Sequence, residues 1–137
     1  MFFEEDNICL VKHLCDVVNN RDYTRMDELF DSSFIDTNPA WSVASVDELK
    51  KTIAAAHEAL DMEITQDNVF AVDDKVVVLL TFRGKHIGQF FGISPTRKTV
   101  IWTCIEIYRI ENSKIMERWV QADTAGLMRQ LGVNLPL

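Results

Sequence analysis

Hydrophobic and polar residues alternate with two different periods along this chain, a helical period before residue 61 and a strand period after it. Near the start, apolar residues recur at spacings of three and four, which predicts an amphipathic helix from Glu5 to about Asn19. A second helix is predicted from about Val46 to Leu60, because Ser45 and Glu48 have the spacing of a capping box. We expect a short helical segment between these two helices, from Thr24 to Phe30.

The strand period after Asp61 predicts a sheet that occupies most of the remaining chain. The predicted strands cover about residues 62–72, 75–87, 98–110 and 114–123, and residues 34–36 can form a further short strand. The turns at residues 73–74 and 111–113 are short enough for antiparallel hairpins. We expect a loop over residues 88–97 and a last helix over residues 125–131.

Helices followed by long antiparallel strands are typical of the α+β class, with the helices gathered on one face of the sheet. We therefore expect a strongly curved antiparallel sheet that wraps around the N-terminal helices as a cone-shaped barrel. A cone of this kind has an open mouth and a mostly apolar interior, where small molecules bind. The length of 137 residues predicts a single domain over residues 1–137.

Composition and charge exclude several classes of partner. The net charge of −7 gives no general attraction to nucleic acid or to anionic membranes. The longest aliphatic run, residues 76–80, is far too short to span a bilayer, and the acidic start of the chain is unlike a signal peptide. We therefore expect a cytoplasmic protein. The three cysteines and three histidines have no ligand spacing, so the sequence predicts no metal site.

The last strand carries the first candidate for catalysis. Alternation places Glu117, Trp119, Gln121 and Asp123 on one face, an unusually polar set for a face that we expect to line the cone. Apolar walls would raise the pKa of Asp123 and suit it to general acid/base work. The alternative interpretation is structural, because an Asp directly before a helical segment makes a good N-cap.

Other candidates lie on the middle strands and the loops. His86 shares a strand face with apolar residues, so it can either donate to a substrate carbonyl or be a core histidine satisfied by a neighbour. Trp41, Trp102 and Phe90 can form an aromatic wall for a flat substrate, or they can serve ordinary packing.

Four segments in the second half of the chain resemble the SnoaL-like polyketide cyclase family. These are residues 84–98 (GKHIGQFFGISPTRK), residues 105–110 (IEIYRI), residues 114–119 (KIMERW) followed by Asp123, and residues 126–132 (GLMRQLG). They occur in the family's order over about the last 50 residues. The family belongs to the nuclear transport factor two-like superfamily, whose cone-shaped α+β fold agrees with the expected architecture.

The resemblance implies a function and two catalytic residues. Members of the family close rings in polyketides by intramolecular aldol condensation, without metal or cofactor. By resemblance Asp123 is the acid/base and His86 lies in the pocket. Asn38 stands where many members carry His before a Pro, near the expected pocket mouth, which bears on the class of substrate.

We therefore expect a cofactor-independent cyclase or isomerase of secondary metabolism that acts on a polyketide-like or terpenoid-like intermediate. Two alternatives stay open: an epoxide-hydrolase-like or ester-hydrolase-like enzyme of the same fold, and a non-catalytic binding or dimerisation module. A row formed by Ile101, Ile105 and Ile107 on the convex sheet face would suit a homodimer.

Overall fold

The computed structural model describes residues 1–37 and 43–136, so Asn38 and Trp41, predicted to contact substrate, lie outside the described residues. Four helices and five strands follow one another along the described chain. In chain order they are α1 (Glu4–Asn19), α2 (Tyr23–Met26), β1 (Phe30–Asp36), α3 (Val46–Leu60), β2 (Glu63–Val72), β3 (Lys75–Lys85), β4 (Thr99–Glu111), β5 (Lys114–Ala122) and α4 (Thr124–Gln130). The predicted α+β class is confirmed.

The helix α3 begins where the sequence predicts. The Ser45 hydroxyl accepts a hydrogen bond from the Glu48 amide at 3.2 Å, and the Glu48 carboxylate accepts from the Ala44 amide at 2.8 Å. These two bonds satisfy N–H groups at the helix start that have no partner within the helix. His57, near the end of this helix, is buried, and its Nδ1 lies 2.5 Å from the Tyr23 hydroxyl.

The sheet is mixed rather than antiparallel throughout. Its strand order is β1-β5-β4-β3-β2, and β1 pairs in parallel with β5 while every other pair is antiparallel. The expected helix over residues 24–30 is therefore too long at its end. Phe30 instead begins β1, because the Ile115 amide donates to the Leu29 carbonyl and Phe30 pairs with Ile115.

A β-bulge in the β4–β5 hairpin decides which side chains enter the interior. Ile110 pairs with Ile115, but the next pair joins Arg109 to Glu117, so Met116 is an extra residue on β5. An extra residue turns every later side chain of its strand to the other face of the sheet. The expectation that Glu117, Trp119, Gln121 and Asp123 line the interior is therefore wrong, and the interior receives Arg118, Val120 and Ala122.

The core lies between the helices and the concave face of the sheet. Alternate residues of β4 are buried in an unbroken series from Val100 to Ile110, and their neighbours point to the convex face. Gly84 of β3 lets the end of α3 approach this sheet closely. A β-carbon at Gly84 would lie 2.0 Å from the carbonyl oxygen of Leu60, a distance that backbone atoms cannot tolerate.

We predict that Gly84→Ala lowers the free energy of unfolding by at least about 2 kcal/mol, because the added methyl group forces α3 away from the sheet. Urea denaturation followed by circular dichroism measures this loss. Lys85→Ala, a change at the adjacent exposed position, is the control and should stay within about 0.5 kcal/mol of the wild type. Equal stability of the Gly84→Ala and Lys85→Ala proteins would contradict the observed contact.

Candidate active site

A cavity of about 510 Å³ opens between α3 and the concave face of the sheet. Its walls are mainly apolar and come from α3, β3, β4, β5 and the loop after β3. They include Leu49, Ile53, Ala56, Phe82, Trp102 and Val120. Apolar clefts of this size suit small organic ligands, whose orientation is set by a few polar groups in the wall.

Three charged side chains, one from each of three consecutive strands of the sheet, lie in the wall of the large cavity. Asp36 ends β1, Glu106 lies in the middle of β4, and Arg118 lies on β5 between them. Arg118 Nη1 donates to Asp36 Oδ2 at 2.6 Å, and Arg118 Nη2 donates to Glu106 Oε2 at 3.1 Å. We call Asp36, Glu106 and Arg118 the charged triad.

Tyr108 extends the triad on the side away from the large cavity. Its hydroxyl donates to Glu106 Oε1, the atom that Arg118 Nε also approaches at 3.4 Å. A second cavity of about 70 Å³, enough for a few water molecules, lies beyond Glu106 and Arg118 and is lined by Tyr108 and residues of α1. Glu106 and Arg118 therefore line both the ligand-sized cavity and the smaller one.

Burial and neighbouring charges shift the pKa values of Asp36, Tyr108 and Arg118. Removal from solvent raises the pKa of Asp36, although the neighbouring Arg118 opposes the rise. Burial and the nearby Glu106 hold the pKa of Tyr108 well above its usual value, so the phenol stays protonated and donates. Burial opposes the charge of Arg118, but Glu106 and Asp36 raise its pKa well above the usual value and keep it cationic.

Trp102 and Phe90, two of the residues predicted to contact substrate, both line the large cavity. Trp102 stacks on Phe82 with ring centroids 5.1 Å apart, and Phe90 lies with Phe91 at the loop side of the cavity. The thiol of Cys104 also lines the cavity, and burial raises its pKa to about 12, so it stays protonated at neutral pH. The structure thus provides aromatic surfaces for a flat ligand.

Asp123 lies outside the set of residues that line the large cavity. Its side chain is exposed and caps α4, with Oδ1 accepting from the Gly126 amide at 2.9 Å. Its neighbours Ala122 and Thr124 line the cavity, whereas Asp123 does not. Asp123 is therefore an N-cap, the structural alternative that its place before a helical segment predicts.

His86 is fully buried and holds the loop after β3 rather than lining the cavity. The Thr96 amide donates to Nδ1 at 3.1 Å, and the Thr96 hydroxyl lies 3.0 Å from the same nitrogen. Because Nδ1 accepts the amide proton, the neutral ring carries its own proton on Nε2. Backbone bonds from His86 to Lys98 and from Arg97 to His86 close the loop at its base.

The remaining predicted residues of β5 lie on the convex face. Glu117 accepts from Arg109 Nε at 2.9 Å, Trp119 lies opposite Ile107, and Gln121 lies opposite Ile105. This follows from the bulge at Met116, which exchanges the two faces of the strand. A role for Glu117, Trp119 or Gln121 in lining the cavity is therefore not supported.

Sequence reasoning missed Asp36, Glu106, Tyr108 and Arg118. A usable signal existed on β4, because placing Ile105 on the convex face requires its neighbour Glu106 to point inward. An acidic residue inside a row of otherwise apolar inward positions is costly unless it is paired, so it marks a possible site. The inward position of Arg118 could not be predicted in this way, since the bulge decides on which face of the sheet its side chain lies.

An α+β cone whose cavity carries a few buried charged groups defines a small-molecule-binding domain of the nuclear transport factor two-like fold. The model of the SnoaL-like polyketide cyclase family matches residues 9–131 of this chain. The chain therefore belongs to the SnoaL-like polyketide cyclase family. No curated protein sequence matches it significantly.

Solved structures with the same fold include several bacterial proteins. AclR from Streptomyces galilaeus is 23% identical with a TM-score of 0.87, covering 97% of this chain and 84% of AclR. TsrD from Streptomyces laurentii is 25% identical with a TM-score of 0.86, covering 96% of this chain and 98% of TsrD. An LEH-like epoxide hydrolase of M. tuberculosis is 12% identical with a TM-score of 0.73, covering 93% of this chain and 90% of the hydrolase.

Within residues 1–37 and 43–136, no helix has the length and apolar character needed to cross a bilayer. Across the same ranges, no group of three or more His, Cys, Asp or Glu side chains is arranged to hold a metal ion.

We predict that Arg118→Met lowers the free energy of unfolding at pH 7 by about 3–5 kcal/mol, because it leaves two buried carboxylates without their cation. The loss should be smaller at pH 5. A carboxyl group whose folded-state pKa lies above its unfolded value stabilises the fold below the unfolded pKa, and this stabilisation disappears as pH rises through the folded pKa. Urea denaturation at both pH values measures the difference.

Arg109→Met is the matched control for this prediction. Arg109 pairs with Glu111 and Glu117 on the convex face and is partly exposed, so its loss should cost at most about 1 kcal/mol at either pH. The pairing of Arg118 with the two carboxylates would be contradicted if Arg118→Met lowered the free energy of unfolding no more than Arg109→Met does. It would also be contradicted if the loss for Arg118→Met grew on acidification.

Proposed function

We propose that this protein is a cofactor-independent cyclase or isomerase that binds a polyketide-like intermediate of secondary metabolism in the large cavity. The observation that carries the proposal is the charged triad set into the wall of an otherwise mainly apolar cavity of about 510 Å³. Membership in the SnoaL-like polyketide cyclase family supports the substrate class. Trp102, Phe82 and Phe90 supply flat surfaces against which conjugated rings can stack.

The reaction that fits this cavity is an intramolecular aldol condensation or a related enolisation. A carboxylate removes a proton from a carbon next to a carbonyl group, and nearby N–H donors stabilise the enolate oxygen. The apolar walls hold a flexible chain in a conformation close to that of the transition state, a contribution that can reach about 7–11 kcal/mol in well-oriented systems. The family resemblance alone would assign the role of this carboxylate to Asp123.

Hydrolysis is the second candidate, and one observation favours it. Two carboxylates joined by a guanidinium group face one cavity, so a water molecule could be held and deprotonated beside an electrophilic ring. Incubation with styrene oxide and analysis for the diol tests this activity. Diol formation without any enolisation activity would replace the cyclase proposal by this one.

We predict that the wild-type protein accelerates hydrogen–deuterium exchange at C1 of 2-tetralone, a flat aromatic ketone that serves as a probe for enolisation. The expected acceleration over buffer is at least about 100-fold, because a positioned general base typically contributes about 10²–10⁴-fold. Proton NMR in deuterated buffer follows the exchange. Ala122→Phe should abolish it, since Ala122 lines the cavity and is exposed toward its opening.

Gln121→Phe is the matched control for the cavity. Gln121 is exposed on the convex face of the same strand, so a phenyl group there adds the same apolar area without entering the cavity. The Gln121→Phe protein should exchange 2-tetralone at the wild-type rate. The cyclase proposal is contradicted if the wild type leaves the exchange rate unchanged, or if both variants lose activity equally while still folded.

The convex face of the sheet supports a homodimer, which we propose as the state in solution. Apolar residues of neighbouring strands adjoin there: the exposed Leu79 of β3 lies opposite the exposed Ile105 of β4, and the half-buried Ile107 lies opposite the half-buried Trp119 of β5. Ile101 and Ile105 are 46% and 52% exposed in the single chain. An apolar sheet face can bury itself against the same face of a second copy, which closes the assembly by two-fold symmetry.

We predict that Ile105→Lys converts this dimer into a monomer, because two lysines would meet in the apolar interface. Sedimentation velocity measures the mass in solution. Phe2→Lys is the control, since Phe2 is 55% exposed near the start of the chain rather than on the sheet. A wild-type monomer, or a dimer that Ile105→Lys leaves intact, would contradict the proposed interface.

A further inference from the structure

We infer that Asp36, and not Asp123, is the group that takes the proton from the substrate, with Glu106 and Arg118 as its positioning residues. This inference rests on the proposed function, because it assigns a residue to the enolisation step. The carboxylates of Asp36 and Glu106 both belong to the cavity wall and differ in which of their oxygens already have partners.

Asp36 offers one oxygen that is bonded and one that is not. Its Oδ2 accepts from Arg118 Nη1 at 2.6 Å, whereas its Oδ1 is buried and has no hydrogen-bond partner among the described residues. Buried carboxylate oxygens are normally satisfied, so an unpartnered one calls for an explanation. Asp36 belongs to the wall of the large cavity, but Oδ1 itself is closed to solvent in the ligand-free protein, so a substrate must displace the atoms that cover Oδ1 in order to fill this vacant position.

Glu106 also lines the cavity, but its two oxygens are already occupied. Oε1 accepts from the Tyr108 hydroxyl and lies 3.4 Å from Arg118 Nε, and Oε2 accepts from Arg118 Nη2 at 3.1 Å. A carboxylate bonded in this way holds the guanidinium plane fixed and has no vacant oxygen to offer a substrate. Glu106 therefore orients Arg118, and Arg118 in turn orients Asp36.

Apart from Glu106, the polar groups that line the large cavity together with Asp36 are not bases. The cavity side of α3 contributes Thr52 and apolar residues, and the loop after β3 contributes Gln89. From β4 come Glu106 and the protonated thiol of Cys104, and from β5 comes Arg118. The triad carries two carboxyl groups and one guanidinium, so its net charge is −1 when both carboxyl groups are ionised. One proton taken from a substrate brings this net charge to zero.

The step balances without a further reactant. Asp36 Oδ1 takes the proton from the carbon next to the substrate carbonyl, and the C–H electron pair moves into that carbonyl as an enolate. The enolate carbon forms a bond to a second carbonyl carbon, whose C=O π pair becomes an alkoxide. The alkoxide then takes the proton back from Asp36. Arg118 has five N–H donors, of which three take part in the triad, so one N–H of Nη1 and one of Nη2 stay available to stabilise an enolate oxygen.

Replacing each aspartate in turn by asparagine distinguishes a base at Asp36 from a base at Asp123. Asp36→Asn removes the base and leaves an amide oxygen that can still accept from Arg118. Asp123→Asn keeps the cap of α4, because Asn and Asp are equally good N-cap residues. Exchange at C1 of 2-tetralone is measured for both proteins beside the wild type, with probe binding followed by tryptophan fluorescence and folding by thermal unfolding.

The expected result is that Asp36→Asn loses at least about 100-fold in exchange rate while it still binds 2-tetralone, and that Asp123→Asn keeps its rate within about twofold. Exchange by the wild type together with full activity of Asp36→Asn would overturn the assignment and leave the proposed function standing. No exchange by the wild type would overturn both.

A pH profile keeps the assignment testable if Asp36→Asn fails to fold. The exchange rate of the wild type should rise with pH to a plateau, with an inflection above about 3.9, the value for an aspartate in a peptide. Asp123→Asn should show the same inflection and plateau, because Asp36 still titrates there. Loss or displacement of the inflection in Asp123→Asn would overturn the assignment in favour of Asp123.

Discussion

The interaction on which the site depends is the pairing of one buried guanidinium with two buried carboxylates. Arg118 joins Asp36 of β1 to Glu106 of β4 across β5, the strand between them. Ionised groups in an apolar interior are costly unless they are paired and hydrogen-bonded. The pairing therefore ties the edge strand β1 to the centre of the sheet and at the same time fixes a charged surface inside the cavity.

That pairing exists because of one extra residue. Without the bulge at Met116, a continuous hairpin register would turn Arg118 to the convex face and bring Glu117 and Trp119 inward. With the bulge, Arg118 enters the interior opposite Tyr108, and the convex face receives Trp119 beside the exposed isoleucines of β4. The same local feature thus sets both the chemistry of the cavity and the apolar character of the outer surface.

Most of the fold could be predicted from the sequence, since helical and strand periods and the Ser45 cap are local signals. The helix over residues 46–60 and the hairpin turns were found in this way. The parallel pairing of β1 was not, because it joins residues about 80 positions apart. Trp102 and Phe90 were correctly placed in the cavity, whereas Glu117, Trp119 and Gln121 were not, because a bulge has no clear signal in a single sequence.

The family resemblance and the geometry point to different carboxylates, Asp123 at the cap of α4 and Asp36 in the cavity. A crystal structure with 2-naphthol, the planar enol analogue of 2-tetralone, tests this difference most directly. We predict that C1 of the bound naphthol lies about 3–3.5 Å from Asp36 Oδ1, the distance of a reactive approach. Binding with C1 beside Asp123, or outside the large cavity, would contradict it.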